Sequence, residues 1–242
     1  QFIMNRTVIV TGGSRGIGRT VAEVLISVGW DVVNLDKSEP AEDSRARWRQ
    51  VDLQDIDALQ SALEEVVESG PVSGLVNNAA IVQPASLEET TPADLERVTD
   101  INIRAPVLCA QAVVPGMREQ GFGRIVNISS RAHLGKTLRT AYAASKGGLV
   151  SMTRVWALEY ADCGITVNAV APGPIRTELF EQVNPADHPR TRAIIESMPV
   201  KRLGEPEDIA NAVRFFFDEA SGFVTGQLLY VCGGVTLTRG GN

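Results

Sequence analysis

Imidazole is scarce in this 242-residue chain: His133 and His188 are its two histidines, so a histidine-rich metal site is close to excluded and none is expected. The three cysteines, Cys109, Cys163 and Cys232, stand far apart, form no Cys-x-x-Cys pair and cannot all be matched in disulfides. That usage fits a reducing compartment, and the expected location is cytoplasmic. Positive charge is short as well. The 23 Lys and Arg against 29 Asp and Glu leave a net charge of −6, whereas a phosphate backbone needs a basic face, so no nucleic-acid partner is expected. Apolar runs stay well below the roughly 18 residues of a membrane helix; the run at 167–172, broken by Asn168, is typical, and no membrane partner is expected. Nor does the N-terminus join a basic region to an apolar stretch and a cleavage site, and residues 1–3 ahead of Met4 read as a processing or expression remnant.

What is present is an ordinary folded composition, 44% hydrophobic and 21% charged, at a length that one α/β domain accommodates. Short apolar runs predict strands at 8–11, 31–35, 75–77, 124–128, 166–171 and 228–231. Amphipathic stretches predict helices at 16–28, 56–68, 92–117, 140–160 and 206–217. Gly29 stops the first helix, Asp55 can cap the second, and Thr91-Pro92 opens the third. The alternation implies right-handed βαβ units. The expected architecture is a Rossmann-type, doubly wound parallel β-sheet flanked by helices on both faces, a single domain over 4–242. Residues 173–205, rich in proline, interrupt the pattern and are expected to form a substrate lid.

Thr11-Gly12-Gly13-Ser14-Arg15-Gly16-Ile17-Gly18 follows the first strand and opens the first helix. Glycines there permit a tight turn and close approach of a pyrophosphate to backbone N–H groups at the positive helix end. The candidate phosphate-binding residues are Gly12, Ser14, Arg15, Gly16, Ile17 and Gly18. Asp36 closes the second strand, where a carboxylate accepts hydrogen bonds from an adenosine ribose and repels a 2′-phosphate. This favours NAD over NADP, although Arg15 and Lys37 pull the other way and simple capping also accounts for Asp36. Tyr142 and Lys146 lie four apart on the predicted helix, hence on one face. A phenol is a poor base at neutral pH, but an adjacent ammonium and the positive ring of an oxidised nicotinamide favour the phenolate and lower its pKa.

Tyr142-Ala143-Ala144-Ser145-Lys146, with Thr11–Gly18, Asn77-Asn78-Ala79-Ala80, Asn102, Ser130 and Pro172-Gly173, resembles the short-chain dehydrogenase/reductase family in its simple, non-extended branch. The resemblance spans essentially the whole chain. It departs in the Ala-Ala of the third motif, in a Ser130-to-Tyr142 spacing of 12 residues, and in Cys232 where Asp is frequent. The resemblance implies that Ser130 hydrogen-bonds the substrate oxygen, that Tyr142 exchanges its proton, that Lys146 holds the nicotinamide ribose and tunes Tyr142, and that Asn102 supports a water-linked proton path. Asn102 at a helix bend is the alternative. It further places Asn78 and Ala79 near the cofactor, Asp52 and Leu53 against adenine, and Pro172, Gly173, Ile175 and Thr177 on the nicotinamide side. For Thr177, capping of a helix remains open.

The same resemblance puts residues 131–141 on the substrate side. Arg131, His133, Lys136 and Arg139 occur there with no acidic residue, which leaves two readings open: a clamp for an anionic substrate, with His133 and Arg139 as candidate contacts, or a solvated loop. Family members commonly assemble as homotetramers through the two long central helices. The expected activity is interconversion of a secondary alcohol and a ketone by hydride transfer with NAD(H). An NADPH-dependent 3-oxoacyl-thioester (acyl carrier protein) reductase is the alternative within catalysis, and a catalytically silent dinucleotide-binding protein the alternative outside it.

Overall fold

In the structure, a computed structural model describing residues 6–185 and 188–237, side chains along β1 (Arg6–Thr11) alternate between two cores. Ile9 enters one and Val8 and Val10 the other; β2 (Trp30–Asp36) divides likewise, with Val33 and Leu35 opposite Val32. Strands covered on both faces carry near-continuous apolar sequence, as these do. They belong to a parallel sheet completed by β3 (Arg47–Gln50), β4 (Val72–Asn77), β5 (Gly123–Ile128), β6 (Ile165–Pro172) and β7 (Leu228–Val231), in the order β3-β2-β1-β4-β5-β6-β7. α1 (Gly16–Ser27) and α8 (Pro206–Phe217) cover one core. α2 (Ile56–Glu68), α4 (Ala105–Gln120) and α5 (Thr140–Tyr160) cover the other. The chain is thus a single Rossmann-like domain. Its strand order reverses between β1 and β4, which opens a crevice at the carboxyl ends of the strands, the usual position for a ligand in such sheets.

Three expectations need correction. The helix predicted over 92–117 is divided: α3 (Pro92–Thr99) leads into a wide π turn at Asp100–Arg104 before α4 begins. Asn102 stands inside that turn with its side chain bound to the Ile81 backbone, an attachment that periodicity does not register. The edge strand β3 has no counterpart in the predicted pattern, because Arg-Trp-Arg-Gln offers no apolar run; its ladder to β2 and a 3.0 Å bond from Trp48 Nε1 to the Asp36 carbonyl hold it. Within 173–205, two short helices form, α6 (Glu178–Val183) and α7 (Pro189–Ser197). Thr177 Oγ1 caps the first by accepting from Phe180 N at 3.2 Å, and His188 Nδ1 caps the second by accepting from Arg190 N at 3.1 Å. Residues 1–3 lie outside the described residues. Among those described, no helix is long and apolar enough to cross a membrane.

Candidate active site

The glycine turn is built by close packing. Gly12 has φ +68°, and a Cβ there would come within 3.0 Å of the Ala79 backbone; a Cβ on Gly18 would come within 2.0 Å of the Gly12 carbonyl oxygen. Asn78 and Ala79, expected near a cofactor, shape this turn from the end of β4. Asn78 Nδ2 donates to the Thr11 and Gly12 carbonyls at 3.0 Å each, and the Asn78 and Ala79 N–H groups donate to Thr11 Oγ1 at 3.0 and 3.1 Å. Gly16 opens toward the 173–205 segment, where a Cβ on it would first meet Thr177 Cγ2 at 3.6 Å. Ile17 is half-buried and packs on the core beneath α1, while Arg15 is exposed. A tight glycine cradle at a helix N-terminus, with room kept clear on its open side, suits the pyrophosphate of a dinucleotide.

Sequence reasoning missed the residue that braces this cradle. Asn34, fully buried inside β2, accepts from Gly13 N through Oδ1 at 2.8 Å and donates from Nδ2 to Ser14 Oγ at 2.9 Å. A polar residue within Val32-Val33-Asn34-Leu35 was the available signal. Ser14 is buried, and its hydroxyl donates to the Ser38 carbonyl at 2.6 Å, so it serves the turn first. Asp36 is held by its neighbours: Oδ2 accepts from Ser14 N at 3.1 Å and Oδ1 from Ser38 N at 2.9 Å. Asp52 Oδ1 accepts from Gln54 N at 3.0 Å, and Leu53 packs into the core beneath α2 and α4.

At the end of β5 the chain brings Ser130, Tyr142 and Lys146 together. Ser130 Oγ accepts from Ala132 N at 3.1 Å, capping a single 3-10 turn at Arg131–Leu134, and lies near enough to the Tyr142 phenol to pull its pKa down. Ser129, one residue earlier, points away and donates to the Lys146 carbonyl at 2.9 Å. Lys146 is 2% exposed, with Nζ donating to the Ile128 carbonyl at 2.7 Å and lying 5.8 Å from the centre of the Tyr142 ring. Asn102, fully buried, accepts from Ile81 N at 2.9 Å and donates to the Ile81 carbonyl at 3.1 Å and to Ser145 Oγ at 3.0 Å. Ser145 Oγ in turn donates to the Tyr142 carbonyl at 2.8 Å. The π turn therefore ties the start of α5, and with it the catalytic candidates, to the loop after β4.

The electrostatics correct one expectation. Burial alone draws the Lys146 ammonium down to about 7. The Tyr142 phenol lies above its ordinary value, because burial outweighs the downward pulls of the Ser130 hydroxyl and the Arg139 guanidinium. Lys146 does not depress the phenol here: its hydrogen bond goes to Ile128, and desolvation works against its charge.

Residues on the nicotinamide side of the expected site divide their roles. Pro172 ends β6; Gly173 N donates to the Val231 carbonyl at 2.9 Å, and its α-carbon lies so close to Cys232 that a Cβ would come within 2.7 Å of Cys232 Cα. Ile175 packs into the core beneath α8. Thr177 both caps α6 and faces Gly16. On the substrate loop, Arg139 is half-buried, with Nη1 donating to the Leu138 carbonyl at 2.8 Å. His133 is turned elsewhere, Nε2 lying 2.7 Å from the Tyr230 hydroxyl with the two rings stacked. That pairing occupies one ring nitrogen of a residue expected to meet substrate. Among the described residues no cluster of His, Cys, Asp or Glu fits a metal ion.

Comparison with known proteins agrees with this geometry. Residues 12–236 match the family model described as Enoyl-(Acyl carrier protein) reductase. The chain is 37% identical to the (2S)-[(R)-hydroxy(phenyl)methyl]succinyl-CoA dehydrogenase subunit BbsD of Thauera aromatica, across 98% of this chain and 99% of that protein. It is 36% identical to an acetoacetyl-CoA reductase of Rhizobium meliloti, across 96% and 98%. Among solved structures, a Beutenbergia cavernae protein crystallised with NADP and described as an NAD(P)-dependent gluconate 5-dehydrogenase superposes with a TM-score of 0.91 at 32% identity, covering 98% of each chain. The glycine cradle, the Ser130–Tyr142–Lys146 group and the sheet order lead to one placement: the chain belongs to the short-chain dehydrogenase/reductase family of oxidoreductases.

Proposed function

We propose that the protein interconverts a secondary alcohol and a ketone, with NAD(H) as redox partner and Ser130, Tyr142 and Lys146 as the catalytic group. The observation that carries this reading is the convergence of a serine hydroxyl, a half-buried phenol and a fully buried lysine at the end of β5, near a glycine cradle shaped for a dinucleotide. Gly12, Ser14, Arg15, Gly16, Ile17 and Gly18 would seat the pyrophosphate. Asp36 would take the adenosine ribose, Asp52 and Leu53 would border the adenine, and Asn78, Ala79, Pro172, Gly173, Ile175 and Thr177 would border the rest of the cofactor. When bound, the nicotinamide supplies or accepts the hydride at the substrate carbon. Ser130 donates a hydrogen bond to the substrate oxygen. In reduction the Tyr142 O–H bond breaks and its proton passes to that oxygen; in oxidation the phenolate takes the proton back. Burial keeps the phenol protonated, the form needed to donate, and Lys146 would hold the nicotinamide ribose beside it. Asn102 holds the start of α5 in place for this exchange and supports the proton path. Residues 173–205 act as the lid.

NAD(H) would be preferred over NADP(H) because the Asp36 carboxylate at the end of β2, fixed by two backbone N–H groups, would repel a 2′-phosphate on the adenosine ribose. A second reading, an NADPH-dependent 3-oxoacyl-thioester reductase, is favoured by the acetoacetyl-CoA reductase relative, the NADP of the structural neighbour and the cations Arg15 and Lys37. Steady-state kinetics with both dinucleotides separates the two, since a tenfold preference for NADPH, about 1.4 kcal/mol, selects the second. Tyr142→Phe should lower kcat by roughly 10²–10⁴-fold while dinucleotide affinity holds. Near-normal turnover by that variant would refute the mechanism. The exposed Val155 and Leu158 on α5, 49% and 85% accessible, suit assembly into a homotetramer. Three free thiols suit a reducing cytoplasm.

A further inference from the structure

We propose that His133 is a positioning residue: its hydrogen bond to Tyr230 on β7 fixes the 3-10 turn that aims Ser130 at the substrate oxygen. The inference rests on the alcohol–ketone reading above and adds two residues, His133 and Tyr230, to what that reading requires.

Ser130 leaves β5 in extended backbone, with φ −166° and ψ 146°, and its own turn bonds back to it. The Ala132 N–H reaches Oγ at 3.1 Å, and the His133 N–H reaches the Ser130 carbonyl at 3.2 Å. With Oγ accepting from Ala132, the direction in which the Ser130 O–H can donate follows the orientation of the turn. Those two bonds shape the turn but do not attach it to the rest of the protein. Ala132 is buried, whereas the chain from Leu134 to Leu138 is exposed, so packing secures the turn poorly on its far side. The side-chain hydrogen bond that ties it to another element joins His133 Nε2 to the Tyr230 hydroxyl at 2.7 Å. The two rings also stack, with centroids 5.7 Å apart and planes 21° from parallel.

Both partners are neutral near pH 7. Burial, with Arg154 of α5 adding to it, holds His133 below the usual histidine range. Burial first and Cys232 second keep the Tyr230 phenol above its ordinary value, against the pull of Arg154. A neutral imidazole and a neutral phenol share one hydrogen bond, which either the phenol O–H or the ring N–H can donate. Tyr230 in turn stands in a strand that the other side of the site depends on. It pairs with Ala171 in β6, and the next residue, Val231, accepts from Gly173 N at 2.9 Å. The contact therefore holds the serine of the substrate side in register with Gly173, expected on the nicotinamide side. A shift of about 1 Å between reacting groups can cost roughly 10²-fold in rate, so this register bears directly on turnover.

The test uses ethyl acetoacetate and acetoacetyl-CoA as ketones, assayed with the preferred reduced dinucleotide. His133→Ala should lower kcat by about 10–100-fold while KM for the dinucleotide holds. Tyr230→Phe keeps the ring, removes the hydroxyl and should lower kcat by about tenfold; the double variant should fall no more than about twofold below His133→Ala, because the two residues act as one contact. His133→Gln returns a hydrogen-bonding group at the reach of Nε2 and should bring kcat to within about threefold of wild type. In a Ser130→Ala background, His133→Ala should cost no more than about twofold further. Wild-type kcat in His133→Ala, a loss confined to substrate KM and not shared by Tyr230→Phe, or an undiminished loss in the Ser130→Ala background overturns the proposal. A second readout does not need turnover: the Ala132 and His133 amides should exchange hydrogen at least about tenfold faster in His133→Ala and in Tyr230→Phe. Unchanged exchange refutes the tie. Absence of wild-type turnover on both ketones would instead fail the alcohol–ketone reading, and the exchange rates would still judge whether Tyr230 holds the turn.

Discussion

Replacing Lys146 by methionine should stabilise the cofactor-free protein while abolishing its activity, and the gain should fade as pH rises. Lys146 is 2% exposed, and burial draws its ammonium from 10.5 to about 7. At about 1.4 kcal/mol per pH unit, the folded state disfavours the charge by about 5 kcal/mol. The unfolded chain binds the proton up to about 10.5 and the folded chain only to about 7, so wild-type stability rises with pH across that window. At pH 6 the whole penalty is present; at pH 9 about 2 kcal/mol of it remains by the same linkage. Methionine fills similar space without charge but leaves the Ile128 carbonyl without its 2.7 Å donor, a loss of about 1–3 kcal/mol. The expected outcome is a variant about 3 kcal/mol more stable at pH 6 and nearly equal to wild type at pH 9. For a chain of this length that is a rise in Tm of roughly 5–10 °C at pH 6. Calorimetric melts of both proteins at the two pH values measure it. A Tm difference that does not narrow between pH 6 and pH 9, or a variant less stable at pH 6, refutes the claim that stability has been given up for a buried catalytic cation.

Two other perturbations probe the cradle. Asn34→Ala removes the acceptor of Gly13 N and the donor to Ser14 Oγ, so stability should fall by about 1–3 kcal/mol and dinucleotide affinity by about tenfold. Thermal melts and cofactor titration measure both, and unaltered affinity would detach Asn34 from the site. Gly18→Ala places a methyl group about 2.0 Å from the Gly12 carbonyl oxygen, which the backbone has to move to accommodate. Dinucleotide binding should weaken at least about 100-fold, near 3 kcal/mol, as expected for overpacking, and wild-type affinity in a titration would contradict the close approach.

Much of the architecture was legible locally. The helices at Ile56–Glu68, Thr140–Tyr160 and Pro206–Phe217 and the strand at Leu228–Val231 lie where apolar spacing and capping residues place them. The polar edge strand β3 was not legible, because its stability comes from a ladder to β2 rather than from its own composition. Of the two helices of 173–205, the one that Thr177 caps stood as an open alternative, whereas α7 was hidden by prolines, one of which occupies its first position, where a missing N–H costs nothing.

Residue types and their order therefore settled the alternating fold, the glycine turn and the Tyr142–Lys146 pairing, since these depend on neighbours within one helical turn or one strand. Tertiary structure alone decided that Asn34 braces the cradle, that Asn102 locks the loop after β4 to α5, that Lys146 turns to Ile128, and that His133 turns to Tyr230. Each is a contact between polar atoms far apart along the chain. Periodicity reports which face a side chain occupies, whereas the partner it meets, and the charge that burial permits it, follow only from how the elements pack.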